Sequence, residues 1–345
     1  MGREATKARR SFSSPSCFRA AVVVLGLSAC APPPAPESAL DRLVPSILDQ
    51  DRIPSAVVVA GTVDAITYRR AFGQARLDTV YDLASLTKVV ATTSVAMKLV
   101  EEGRLSLRDP VSRHVAAFAG RDVTIEDLLT HRSGLPAYLT PSPGQTPDEI
   151  LAASARLAGP KVYRYSCLNM IALARAAEEV AGRPLAELAR TLVFEPLGMR
   201  DTGFAPDPAR CAPTAHDVPP GVVHDPLARA YGGPQRTPGN AGLFSTADDL
   251  AVFCRALLGG RLFKPETVRR MWTPDADTRG LGWDVFDDPP YRPGVGHTGF
   301  TGTLLWIDPE RGRFAVVLAN RTFHGEKVDV RRLRRDVLSA LNQGL

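Results

Sequence analysis

The stretch YDLASLTKVV (81–90) places Ser85 and Lys88 three residues apart where an apolar run begins. On a helix, residues i and i+3 share a face. A serine hydroxyl is a weak nucleophile and needs a base to take its proton. Lysine can help if its surroundings lower its pKa from about 10.4 towards 7–8. The free N–H groups at a helix start also favour developing negative charge. The same spacing occurs on any solvated helix face, so Ser-x-x-Lys alone does not separate a nucleophile from an exposed stripe.

The surrounding sequence supplies the frame. SAVVVAGTVDAITYRRAFG (55–73) reads as two strands around a turn. SLTKVVATTSVAMKLVEEG (85–103) reads as a helix, with Val89, Thr93, Ala96 and Val100 in helical period and Gly103 as its C-cap. From about 110 to 235 the chain is rich in proline and loops, with helical pieces such as TIEDLLTH and MIALARAAEEVAG. TADDLAVFCRALLGG is a further helix, N-capped by Ser245 or Thr246. GHTGF, TGTLLWID and RFAVVLANR read as strands, the last two joined by PERG. The tail VDVRRLRRDVLSALN is amphipathic, with Val330, Leu333, Val337 and Leu341 on one face and RRLRR as its solvated side. No internal repeat is visible. The fold expected is α/β of the α+β type: one antiparallel sheet formed by both chain ends, flanked by helices, with a mainly helical insert.

The 345 residues suffice for a sizeable core, and 44% hydrophobic with 23% charged residues is a globular composition. The formal charge of +5 is mostly N-terminal: residues 1–29 hold Arg3, Lys7, Arg9, Arg10 and Arg19 against Glu4, a net +4 that leaves about +1. Nothing there argues for nucleic-acid binding. The same segment reads as an export signal, a basic start leading into the short apolar run AAVVVLGLSAC. That run is too short to span a bilayer. Three cysteines then remain, Cys167, Cys211 and Cys254, an odd number without Cys-x-x-Cys, which argues against a disulfide framework or a zinc ribbon.

Two further segments give the Ser85–Lys88 pair a context: VYRYSCLNMIALA (162–174) in the insert and GHTGFTGT (296–303) near the C-terminal strands. The order Ser-x-x-Lys, Tyr-Ser-Cys, His-Thr-Gly resembles the serine β-lactamase and D,D-peptidase family, closest to its class C-like branch with the family VIII esterases. LLTHRSGLP (128–136), VFEPLGMRDTGF (193–204) and GNAGLFSTADDLAVF (239–253) match that branch as well. The resemblance covers about residues 40–345 and implies a β-lactamase/transpeptidase-like fold. It implies Ser85 as the acylated nucleophile, with Lys88 and Tyr165 sharing proton transfer. Substrate would be bound by Cys167, His297, Thr298, Gly299 and Phe300, and the oxyanion by the Ser85 and Phe300 N–H groups. LSAC resembles a lipobox, implying lipidation of Cys30, with APPPAPES as a tether over residues 30–39 and a membrane-anchored lipoprotein of the bacterial envelope, on its periplasmic face.

Two positions depart from the family pattern. Cys167 stands where Tyr-x-Asn has asparagine, and His297 where Lys-Thr-Gly has lysine. Both weaken the case for an efficient β-lactamase and leave that for a serine hydrolase intact. If His297 faces a substrate carboxylate, its preference for that group should rise between pH 8 and 6. GVGHTG (294–299) matches Gly-x-Gly-x-x-Gly but precedes a strand, so no dinucleotide cofactor is expected. CAPTAHDVPPGVVHDP (211–226) gathers Cys211, His216, Asp217, His224 and Asp225 in a loop that fits no common zinc spacing. It also resembles a loop of relatives linked to peptidoglycan-fragment amidase activity, which implies a place along the cleft. His131 and Tyr163 read as structural. The expected function is acyl-enzyme hydrolysis of amide bonds in cell-wall peptides or muropeptides. A small-ester esterase and an inactive cell-wall binding protein are the alternatives.

Overall fold

The computed structural model describes residues 38–231, 237–274, 279–325 and 328–344. The export segment, Cys30 and all of the tether but residues 38–39 lie outside them.

Six strands form one antiparallel sheet in the order β2-β1-β8-β7-β6-β5. They are β1 (Ser55–Thr62), β2 (Ile66–Gly73), β5 (Asp284–Phe286), β6 (Gly294–Thr298), β7 (Leu304–Asp308) and β8 (Arg313–Ala319). The N-terminal hairpin meets the C-terminal strands at β1 and β8, where Val59 pairs with Val316 and Val57 with Leu318. This is the expected sheet from both chain ends. Two short strands, β3 (Tyr81–Asp82) and β4 (Phe244–Ser245), make a separate ladder beside the site.

Strand side chains alternate between faces. Ala56, Val58, Leu304, Trp306, Ala315 and Val317 pack with Val330, Leu333, Val337 and Leu341 of the terminal helix Arg331–Gly344 and with Leu40, Val44 and Ile47 of the helix Ala39–Asp51. Val57, Val59, Leu305, Ile307, Val316 and Leu318 join the other core, which contains most of the inserted helices. With both faces covered, the central strands read as nearly continuous apolar runs. Thr246 caps the helix Ala247–Leu258 by accepting the Asp249 N–H.

The final helix corrects one expectation. Arg334 is buried, not solvated, and its Nη2 donates to the Gly299 carbonyl at 2.5 Å. Burial pushes its pKa down to about 10. RRLRR therefore contributes one side chain to the strand end beside the site.

Candidate active site

Ser85 stands on an irregular turn. Ala84 is held at φ +46°, a conformation that disfavours residues other than glycine. Its N–H donates to Asp82 Oδ1 at 2.8 Å, and Leu83 N–H to the Leu243 carbonyl at 2.9 Å. The chain continues as a 3₁₀ turn (Ala84–Leu86), a π-helical stretch (Lys88–Thr93) and an α-helix (Ser94–Glu101). The regular helix expected from 85 to 103 is thus broken at its catalytic end. Thr87, Thr92 and Ser94 are fully or almost fully buried, and their hydroxyls donate to backbone carbonyls. Ser94 Oγ donates to the Val89 carbonyl five residues back, and Thr92 Oγ1 to the Gly239 carbonyl. Single π-turns of this kind cluster at functional sites.

Ser85 and Lys88 nevertheless meet. Lys88 is fully buried, and its Nζ donates to Ser85 Oγ and to the Asn240 carbonyl, each at 2.8 Å. Burial works against its charge. Cys167, Tyr165 and Asp225 work in its favour, and the balance holds its pKa above the ordinary lysine value.

Tyr165 precedes the N-cap of the helix Cys167–Ala181. Ser166 supplies that cap, and its own N–H donates to His131 Nδ1 at 3.2 Å. Four groups surround the Tyr165 ring. Lys88 Nζ lies 5.2 Å from its centroid and the Arg279 guanidinium 5.5 Å. The His131 and His297 rings lie at 4.8 and 5.8 Å. His131 is buried, in left-handed backbone at φ +58°, and burial with the nearby cations holds its pKa well below the histidine range. It acts as a neutral support. Arg279 was not legible as a site residue in the sequence: it is buried, ion-paired with Asp284, and its Nη2 donates to the Tyr163 hydroxyl at 3.4 Å.

On the opposite wall His297 lies on β6 and is 2% exposed. Its Nδ1 bonds the Thr298 carbonyl at 2.7 Å, so Nδ1 carries the proton. Burial, with Arg279 and Lys88 assisting and Asp284 opposing, lowers its pKa to about 4. Gly299 fits closely, since a Cβ there would meet Thr303 Oγ1 at 2.0 Å and the Leu83 carbonyl at 2.6 Å. The glycines of GVGHTG thus answer to packing: a Cβ at Gly294 would reach Trp306 Nε1 at 2.1 Å and one at Gly296 the Leu305 carbonyl at 2.1 Å. Phe300 projects 47% exposed, with its carbonyl accepting from Arg321 Nε at 2.6 Å and its ring 4.4 Å from that guanidinium.

A cavity of about 410 Å³ opens at Ser85. Ser85, Tyr165, Cys167 and Phe300 line it, while His297, Thr298 and Gly299 stand outside its lining. Cys167 is a free thiol. The cavity also takes in Tyr138, His224, Asp225 and Asn240. GNAGL marks Asn240 in the sequence only as part of a matching segment, whereas the loop with His224 and Asp225, whose resemblance to an amidase-linked loop implied a place along the cleft, does line the cavity. The loop's residues take separate positions. Cys211 Sγ donates to the Asp207 carbonyl, His224 N–H donates to Asp82 Oδ2, and the His216 ring packs 4.3 Å from that of Phe323.

The Beta-lactamase family model matches residues 40–339. A relative from Escherichia coli (strain K12), named "Putative D-alanyl-D-alanine carboxypeptidase", is 28% identical over 82% of this chain and 81% of its own. A like-named relative from Salmonella schwarzengrund is 30% identical over 72% of this chain and 71% of its own. Among solved structures, EstCE1, a hydrolase with promiscuous acyltransferase activity, superposes with TM-score 0.73 at 24% identity over 86% of this chain and 95% of that one. The D-amino acid amidase of Ochrobactrum anthropi SV3 superposes with TM-score 0.69 at 22% identity, covering 88% and 99%. These likenesses show a shared fold. With its antiparallel sheet and its helices, this chain belongs to the Beta-lactamase family and is a serine hydrolase.

Proposed function

We propose that the protein cleaves amide bonds of cell-wall peptides or muropeptides through an acyl-enzyme on Ser85. The observation that carries this reading is the 2.8 Å contact between Lys88 Nζ and Ser85 Oγ at the wall of a cavity shared with Tyr165. The Asn240 carbonyl can only accept, so Lys88 donates to it. With its pKa held high, Lys88 is an ammonium that donates to Ser85 Oγ as well. We therefore assign Tyr165 to take the Ser85 proton and return it to the leaving amine. The Ser85 and Phe300 N–H groups are assigned to the oxyanion. The substrate class rests on the relatives named for D-alanyl-D-alanine carboxypeptidase.

The second reading, a small-ester esterase, draws on a different observation. Among the described residues no lysine or arginine lines the cavity, and His297 is neutral, so none of them offers a substrate carboxylate a cationic partner there. An inactive binding protein is disfavoured by the intact grouping of Ser85, Lys88 and Tyr165. The test is a hydrolysis panel of purified muropeptides, a D-Ala-D-Ala peptide, a chromogenic cephalosporin and p-nitrophenyl esters, run beside labelling by a serine-reactive phosphonate. Turnover of esters alone would leave the esterase, and absence of both labelling and turnover would leave the binding protein.

We also propose export and lipid anchoring through Cys30. Among the described residues no helix is long and apolar enough to cross a membrane. Acyl chains add about 0.8 kcal/mol of membrane affinity per buried CH₂. Cys30→Ala should move the protein from the membrane pellet to the soluble fraction. A wild-type protein already soluble, without lipid mass at its N-terminus, would remove the anchor.

A further inference from the structure

We propose that Asp225 and Asn240 form an ammonium pocket, which selects substrates whose acyl group carries a free primary amine beside the scissile bond. This rests on the hydrolase reading and narrows it. Among the described residues, Asp225 is the one carboxylate that lines the cavity, and neither lysine nor arginine lines it. Asp225 Oδ1 accepts the Ala228 N–H at 2.6 Å and Asn240 Nδ2 at 3.3 Å. Oδ2 has no donor among the described residues that the structure shows. Lys88 feels the charge of Asp225 but donates to Ser85 and to the Asn240 carbonyl.

Asn240 gives the second, independent observation. It is 0% exposed and lines the cavity, and its Oδ1 has no hydrogen-bond partner among the described residues. Its orientation is fixed, because only the amide nitrogen can donate to a carboxylate. The amide oxygen is therefore an orphan acceptor beside a carboxylate. A buried polar atom without a partner is costly unless a ligand satisfies it. An ammonium brings three donors and a positive charge, which fits two adjacent acceptors of which one is anionic. The place is close to the chemistry, since the Asn240 carbonyl shares Lys88 with Ser85 Oγ. We assign the amine to the residue that is transferred to Ser85.

Asp225 also caps the short helix Pro226–Tyr231, and capping alone would explain its presence. Asparagine caps as well as aspartate, so Asp225→Asn removes the charge and keeps the cap. The experiment measures binding, independently of turnover, by ligand-observed NMR on the Ser85→Ala protein with D- and L-alaninamide and their N-acetyl counterparts. The free amines should bind at least about tenfold more tightly than the acetylated amides, from the worth of a charge-assisted hydrogen bond. In Ser85→Ala/Asp225→Asn the ratio should fall to near one. Equal binding of the two forms, no binding of either alaninamide, or a preference untouched by Asp225→Asn would overturn the pocket, with the first two readable from the single variant if the double variant does not fold. Phosphonate labelling of the wild-type protein reports separately on the hydrolase reading, which can stand if the pocket falls.

Discussion

Lys88 and His297 both flank the Tyr165 ring, both are buried, and they end in opposite charge states. Taking a basic side chain out of water penalises its charged form. Lys88 escapes that penalty because Cys167, Tyr165 and Asp225 around it favour its charge, and its ammonium donates to a carbonyl and a hydroxyl. His297 stays neutral because burial, helped by the cationic neighbours Arg279 and Lys88, outweighs Asp284 and the Thr298 carbonyl, which favour its charge. Two motif positions of similar standing in the sequence thus differ in chemistry. One donates to the Ser85 hydroxyl, and the other stands behind the Tyr165 ring.

The largest expected effects test the Lys88 side. Ser85→Ala should abolish turnover and phosphonate labelling, and stoichiometric labelling that survives would remove Ser85 from its role. Lys88→Ala and Tyr165→Phe should each slow acylation by about a hundredfold or more. Their double variant should lose far less than the product, because groups that act as a unit are non-additive. Independent losses in stopped-flow acylation would break the shared network.

His297 should leave its mark on stability. The unfolded chain takes up its proton near pH 6.5, whereas the folded protein resists until about pH 4. Between those values the unfolded state binds more protons, so stability falls as pH drops, by up to about 3 kcal/mol. Asp82 pulls the other way: burial raises its pKa to about 6, so the folded state binds its proton first and gains stability as pH falls below that value. The informative quantity is therefore the difference between wild type and His297→Gln in denaturant melts from pH 7 to 4. A pH-independent difference would mean that His297 titrates normally in the fold.

A smaller effect concerns the strand end that both residues depend on. Arg334→Leu strips the Gly299 carbonyl of a buried charged donor and should cost about 1.5–3 kcal/mol in a denaturant melt. An unchanged midpoint would show that the contact does not matter. The smallest effect expected is none. The kcat/KM ratio for a carboxylate-bearing substrate over its neutral amide should stay flat between pH 8 and 6, since His297 remains neutral throughout. The sequence alone had suggested a rise towards low pH. A severalfold rise would restore His297 as a carboxylate reader.

What the sequence determined by itself follows from periodicity and local chemistry. The sheet from both chain ends was legible because AVVVA and FAVVLA are apolar runs that a doubly covered strand requires. The amphipathic tail was legible from Val330, Leu333, Val337 and Leu341. Ser85, Lys88 and Tyr165 were legible as candidates through motif order, and the fold brings them together. Only the tertiary structure decided the rest. The break in the helix after Ser85 depends on where buried hydroxyls find carbonyls, Gly239 among them, 147 residues away from Thr92. Arg279, Arg334 and Asn240 reach the site across long separations, and no local pattern sets them apart from other polar residues. Charge state was illegible for the same reason: a pKa is set by the groups that surround a side chain in space, and for Lys88 and His297 most of those come from distant parts of the chain.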